Sequence, residues 1–282
     1  MRCMLQMMTP SLEAAGTEPG AMTRVYEAGA VRYTETAPPR DLAADVVCFW
    51  TLRVDPTGEG YRHHVLPDLT VDVLSVNGSR ALVMGPPTAA RQLALPAGIS
   101  IEGARLHPGA ARHVLDCAPA ELLDRKVALY DVLRAPLDLA EQLSRRSLHA
   151  IVPELLRRGA ANGDRSTDGT VRSAIAWLGT NARSSIDDLS RQVNWSDRKL
   201  RRRFVDAVGM GPKLVQRIVR VQRALHVLRA RTGHVSLSGL AVECGFADQA
   251  HMTREVAHFT DYTPNRLRTL AHPSELAAAD YA

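Results

Sequence analysis

The stretch Ser185-Ile-Asp-Asp188-Leu189-Ser-Arg-Gln-Val193-Asn194-Trp195-Ser196-Asp-Arg198-Lys199-Leu200-Arg201-Arg202-Arg203-Phe204 decides how the chain is read. Ser185 is placed to cap a helix, and Asp188, three residues on, completes a capping-box pattern. Ile186, Leu189 and Val193 fall on one helical face. Asn194-Trp195 interrupts the pattern, and Ser196 can cap a second helix whose Leu200, Phe204 and Val208, four apart, face inward. The same layout recurs further on. Ser236 precedes Leu237, Leu240 and Ala241; Gly245 serves a turn that Phe246 anchors; Asp248 caps a helix with Met252, Val256 and Phe259 inward. Between the units, Gly209 ends one helix and Pro212 opens another, as glycine after and proline at the start of helices do. Lys213–Arg231 then reads as one long helix with Val215, Ile218, Val221 (or Val219), Leu225 and Leu228 on its apolar side. Two helix–turn–helix units on a rigid spacer result.

The outer faces of the second helices carry the chemistry. Arg198, Lys199, Arg201, Arg202 and Arg203 place five basic side chains in six positions near a helix start. Such density suits a groove lined by phosphates, and arginine also makes paired bonds to guanine edges. From Ser166 to Leu270 there are 17 Lys and Arg against 9 Asp and Glu, while the whole chain is only +5. The basic surplus therefore sits in the C-terminal part, which suggests a polyanion partner for that domain alone.

Working back toward the start, Val171, Ile175 and Leu178 share one helical face. Gly159 to Gly169, rich in Gly, Asp, Ser and Thr, reads as an interdomain linker. Leu137–Leu156 reads as an amphipathic helix with a break at Pro153, and as a candidate dimer helix. Pro108 is expected to open a short helix through Val114, and Pro119 another through Asp124. Before them the pattern changes to short β-branched runs cut by Gly, Pro, Asn and Asp: Asp45–Val54, His63–Leu66, Thr70–Val76, Arg80–Met84, Arg91–Leu95 and Ile99–Leu106. Asn77-Gly78 between two of them is a strong hairpin signal. Many short strands at close spacing imply an antiparallel barrel or sandwich.

Length and composition frame these parts. A chain of 282 residues with 45% hydrophobic and 23% charged residues suits two soluble domains. Cys3, Cys48, Cys117 and Cys244 are widely spaced and suggest neither a disulfide framework nor a zinc site, which fits a reducing cytoplasm. No apolar run approaches the length of a membrane span. The segment up to about Met22 reads as a disordered tail, or as an extension upstream of a start at Met22. Catalytic patterns are absent: there is no Gly-x-Ser-x-Gly, phosphate loop or carboxylate pair. His63 and His64 could join Asp68, Asp72, His107 or His113 in a metal site, but adjacent strand residues face opposite ways and no ligand spacing links the set. Trp50 reads as packing.

Across about Val171 to Leu270 the chain resembles the AraC/XylS family of bacterial transcription regulators. The residues that carry the likeness run in order. They are Leu189-Ser-Arg-Gln-Val193, Ser196 with Leu200 and Phe204, Gly209-x-Gly-Pro212, Arg220, Ala224, and Leu240-Ala241. Gly245-Phe246-x-Asp248-Gln249 and Tyr262-Thr263-Pro264 through Arg268 complete the set. Trp195 and Asp261 stand where glycine is frequent, Met252 and Val256 where phenylalanine is, and Ala257 where lysine is usual.

The resemblance implies that Arg198, Arg201 and Arg202 in the first unit, and Gln249, Ala250, His251 and Arg254 in the second, contact DNA bases. It implies phosphate contacts from Ser196, Lys199, Arg203 and Thr253. Leu66-Pro-Asp68, Asp72, Gly85-Pro86 and Gly103-Ala-Arg105-Leu-His-Pro-Gly109 carry a weaker likeness to the cupin-like sensor domains of some of these regulators.

The expected fold class is α+β. An N-terminal antiparallel β-barrel, cupin-like and with flanking helices, precedes an all-α domain of two helix–turn–helix units joined by a long helix. Expected boundaries are a tail at 1–22, a sensor or interaction domain at 23–135, a helical segment and linker at 136–169, the DNA-binding domain at 170–271 and a tail at 272–282. The expected partner is double-stranded DNA, with a small-molecule effector, a second copy of the chain and RNA polymerase as further candidates. No cofactor, catalytic residue or metal ligand is assigned, and the place of action is the cytoplasm, at the nucleoid. A cupin-type metalloenzyme, a reactive-cysteine modifier or a ligand-free dimerisation module, each fused to a DNA-binding domain, are the alternatives.

Overall fold

The computed structural model describes residues 11–14, 22–133, 146–160, 166–231 and 235–270. Ten strands and ten α-helices occur among them. The strands are β1 (Ser11–Ala14), β2 (Met22–Ala28), β3 (Val31–Thr36), β4 (Val46–Val54), β5 (Tyr61–Val65), β6 (Val71–Val76), β7 (Arg80–Met84), β8 (Arg91–Leu95), β9 (Ser100–Leu106) and β10 (Lys126–Ala128). Eight of them form one antiparallel sheet in the order β1-β2-β3-β4-β9-β6-β7-β10, and β5 pairs with β8 in a second, two-stranded sheet. The Asn77-Gly78 hairpin has both residues at positive φ, 51° and 66°, as a two-residue primed turn requires.

The period-two alternation of the strands puts a core on each face of the large sheet. On one face Cys48, Trp50 and Leu52 of β4, with Tyr26, Tyr33 and Leu74, pack toward Tyr61, Leu93 and Leu95 of the small sheet. On the other, Phe49 of β4 joins Val73, Val83, Ala104 and Leu106 against helices. A bulge between Val46 and Cys48 shifts the β4 register against β9.

Helices α1 (Pro119–Leu122) and α2 (Leu129–Val132) flank β10, and α3 (Leu148–Ala160) covers the second face. Leu148, Ile151, Val152, Leu155 and Leu156 of α3 are all buried there. Pro153 does not break this helix as expected but lies inside it. The apolar stripe on both sides of the proline offsets the single backbone bond that it removes. Three further expectations are corrected. Pro108 opens no α-helix; Gly109, at φ 91°, instead leads into a 3-10 turn at Ala110–His113. The expected tail contains a strand, because Ser11–Ala14 pairs with Met22–Val25. The linker is shorter than Gly159 to Gly169, since helix runs to Ala160 and resumes at Ser166. Of the expected helix at Leu137–Leu156, residues 137–145 lie outside the described residues, as do 1–10 and 271–282.

The C-terminal domain is all helix: α4 (Ser166–Thr180), α5 (Ile186–Val193), α6 (Asp197–Val208), α7 (Pro212–Ala230), α8 (Leu237–Glu243), α9 (Gln249–Thr260) and α10 (Pro264–Leu270). Its core contains Leu189, Leu200, Phe204, Val215, Ile218, Val221, Leu240, Met252, Val256 and Phe259. Met252 and Val256, which depart from the family's aromatic residues, are fully buried and fill the core positions. Asp261 ends α9 at φ 61°, so aspartate takes the left-handed position where glycine is frequent.

Candidate DNA-binding surface

Local hydrogen bonding sets both second helices. Ser185 Oγ accepts from the Asp188 amide at 3.1 Å, and the Asp188 carboxylate accepts from the Ser185 amide and hydroxyl at 2.8 Å each. This reciprocal box starts α5, and Asn194 ends it in the left-handed conformation at φ 52°. Ser196 Oγ then accepts from the Lys199 amide and starts α6. Ser196, expected at a phosphate, thus has its oxygen engaged as a cap, and its hydroxyl proton stays available. Arg198, Lys199, Arg201 and Arg202 are exposed, while Arg203 is half-buried with a buried Nε that has no hydrogen-bond partner. The Lys199 ammonium lies 5.2 Å from the Trp195 ring centroid, so the residue replacing a frequent glycine steers a basic side chain.

The second unit is built in the same way but is less basic. Asp248 accepts from the His251 amide at 2.6 Å to cap α9. Gln249, Ala250 and Arg254 are exposed. His251 is half-buried: the Ala247 amide donates to its Nδ1 at 3.3 Å, and its ring meets Phe246 edge-on at 5.6 Å. That bond leaves Nε2 to carry the ring proton as a donor. Thr253 donates its hydroxyl to the Gln249 carbonyl at 2.9 Å, which occupies the donor expected at a phosphate. Midway along α9, Arg217 of α7 grips Glu255 with two bonds, and this holds the Glu255 carboxyl below its usual range.

Helix α7 braces both units through side chains that the sequence reading passed over, Arg220 excepted. Gln216 donates to the Ser184 carbonyl at 2.7 Å and Arg220 Nε to the Ala182 carbonyl at 2.9 Å, both in the turn before α5. Arg223 reaches the Gly179 carbonyl at the end of α4. Arg217 also lies 5.0 Å from the Phe259 ring. From the turn itself, Arg183 donates to the Val242 carbonyl of α8 at 3.1 Å. Periodicity marked only the apolar stripe of α7; the polar positions beside it satisfy carbonyls left open at neighbouring helix ends.

In the N-terminal domain the candidate metal ligands do not converge. His64 faces the helical domain, where its ring lies 5.0 Å from that of Tyr262, while His63 lies 6.0 Å from the Tyr61 ring on the opposite side. Asp72 takes two bonds of 3.0 Å from Arg105 and one of 3.3 Å from Trp50 Nε1. Trp50 packs over Gly103, where a Cβ would fall 2.2 Å from the indole. His113 is buried, and burial lowers the pKa of His107. Among the described residues no group of three or more His, Cys, Asp or Glu is placed to hold a metal. Burial pushes the Cys244 thiol up to about 11 and raises that of Cys117, so neither is primed as a thiolate nucleophile.

Residues 189–269 match the model of a helix-turn-helix domain, and residues 34–128 match that of a domain of unknown function (DUF6597). The chain is 26% identical over 145 residues to the HTH-type transcriptional activator RhaS of Klebsiella pneumoniae, covering 50% of this chain and 51% of that protein. It therefore spans about half the length of this curated relative. A crystal structure of an AraC-type transcriptional regulator from Chromobacterium violaceum is 23% identical, covers 41% of this chain and 99% of its own, and superposes with a TM-score of 0.35. ToxT of Vibrio cholerae is 9% identical over 79% of this chain and 98% of its own, at a TM-score of 0.43. Two capped units stand on one long helix and the matched model falls on them, so residues 189–269 of this chain are a helix-turn-helix domain.

Proposed function

We propose that the chain is a sequence-specific, DNA-binding transcription regulator whose N-terminal domain makes it responsive to a small molecule. One observation carries the DNA-binding part. Two capped second helices are held on one brace, and the first presents Arg198, Lys199, Arg201 and Arg202 together in exposed positions. In this reading Arg198, Arg201, Arg202, Gln249, Ala250, His251 and Arg254 reach base edges. Lys199, Arg203, Ser196 and Thr253 lie at phosphates, the last two through whatever their caps and backbone bonds leave available. Ala250 offers apolar contact alone, such as to a thymine methyl. The name of the RhaS relative, a transcriptional activator, supports the regulatory role.

The responsive part is supported by a cleft of about 480 Å³ between the domains. Leu69 forms one wall and Ile175, Ile218, Val219 and Val227 the other. Domain interfaces of this size and polarity are common seats for small ligands. A second copy of the chain and RNA polymerase are the further partners that such a regulator would meet.

The direct test is selection from a pool of randomised duplexes by the purified full chain. The expected product is an enriched site with two contacted segments about one helical turn, 34 Å, apart. Recovery of an unenriched pool would overturn the reading.

A further inference from the structure

The loop between β5 and β6 belongs to both domains. Leu66 and Leu69, 1% and 2% exposed, are part of the apolar core of the helical domain. The Pro67 carbonyl accepts from Gln222 Nε2 on α7. At the end of β5, His64 places Nε2 3.6 Å from the Asp261 carboxylate. Asp68, in the middle of the loop, turns the other way. Its Oδ1 accepts from the Thr70 amide and hydroxyl at 3.0 and 2.6 Å, and its Oδ2 lies 3.8 Å from Arg105 Nε. Arg105 is 5% exposed and is paired with Asp72 as well. Leu69 stands at φ 66°, a conformation that a leucine keeps only where its surroundings over-determine it. Five residues are thus pinned by a buried ion cluster on one side and by apolar docking on the other.

The contact surface reaches both helix–turn–helix units. Asp261 and Tyr262, beside His64, close α9. Gly209, which closes α6, lies against the α1 backbone so tightly that a Cβ there would fall 2.8 Å from the Pro119 carbonyl. The N-terminal domain therefore braces the C-terminal ends of both second helices, while Arg198, Arg202, Gln249 and Arg254 stay exposed.

We infer that the Leu66–Thr70 loop is the coupling element between the domains, with Asp68 as a positioning residue that holds it in its docked shape. This rests on the DNA-binding reading and specifies its regulation. Docking leaves the basic face open and limits relative motion of the two units. The docked form is the tighter DNA binder, because release restores freedom that DNA must then remove. A ligand in the cleft that Asp68 and Leu69 line displaces the docked loop and lowers DNA affinity through it.

The test compares the full chain with Asp68→Asn, Gln222→Ala and the double variant, using the duplex selected by the unaltered protein. Backbone hydrogen exchange around Gln222 and Asp261 is measured without DNA. Each single change is expected to weaken binding by roughly 2- to 30-fold, the range of remote coupling. The double variant should be no weaker than the weaker-binding single, and exchange at both places should rise in Asp68→Asn. Unchanged affinity and exchange in a folded Asp68→Asn protein, or fully additive losses, would overturn the coupling. Failure of the unaltered chain to select any duplex would instead sink the DNA-binding reading, and the exchange data would still decide the coupling.

Discussion

Arg217 on the spacer helix and Glu255 on the second recognition helix face each other in a two-bond pair, with Nε to Oε2 at 2.8 Å and Nη2 to Oε1 at 3.0 Å. The Glu255 side chain is 14% exposed and that of Arg217 37%. The pair fixes the tilt of α9 against α7, and it leaves Gln249 and Ala250 in the N-terminal turn of α9 exposed.

Glu255→Gln should therefore destabilise the helical domain by about 1–3 kcal/mol, as loss of a charge-assisted bidentate pair does. The pair also has a pH signature. Hydrogen bonding from Arg217 lowers the Glu255 pKa in the folded state, so its contribution is present above the ordinary carboxylate range and is lost as pH falls through the lowered value. Thermal melts between pH 3 and pH 7, on the order of the window for a shifted carboxylate, should show a steeper acid loss in the unaltered protein than in Glu255→Gln.

His63 gives a second pH dependence with a higher window. Burial, with Arg105 and His64 nearby, pushes its pKa down to about 4. The folded domain thus prefers the neutral ring. Stability from this group is full above the ordinary histidine value and falls as pH drops toward about 4. His63→Phe should flatten that part of the profile; an unchanged slope in its melts would count against the assignment.

The glycines at the helix ends differ in what a methyl group would meet. Gly245 is at φ 77°, and a Cβ there would lie 2.0 Å from the Ala182 carbonyl. Gly245→Ala should cost more than about 2 kcal/mol, from strain and displacement together. Gly239, inside α8, has its nearest neighbour at 3.7 Å. Gly239→Ala should raise stability by up to about 1 kcal/mol through helix propensity. Denaturant titrations of the two variants should move in opposite directions.

On DNA, Arg202→Ala should lose about 1–3 kcal/mol, concentrated at one or two base positions of the selected site. Lys199→Ala should weaken all duplexes alike and reduce the salt slope by about one ion, because a phosphate contact carries no sequence information. Titrations against matched and mismatched duplexes at several salt concentrations separate the two roles.

The asymmetry between the units was legible in the residues alone. Arg198 to Arg203 crowd the first recognition helix, and Gln249, Ala250 and His251 thin out the second. Caps were equally legible: Ser185, Ser196, Ser236 and Asp248 all accept the amide that their spacing implies. These features depend on neighbours three or four residues away, which periodicity and side-chain chemistry specify directly.

Pro153 shows the limit of that local logic. Its backbone chemistry argues for a break, and only the packing of Leu148, Ile151, Val152, Leu155 and Leu156 on the sheet keeps the helix whole. Leu66 and Leu69 show it again, since their strand-like surroundings gave no sign that they would complete the core of the other domain. By itself the sequence determined the helix–turn–helix pair, its caps, its basic face and the strand-rich character of the first domain. The tertiary structure decided the order of strands in the sheet, the bracing bonds of α7 and the docking of the β5–β6 loop. Each of these joins residues far apart in the chain. A polar side chain satisfied by a distant carbonyl, or an apolar one buried in a distant core, leaves no periodic trace in its own neighbourhood.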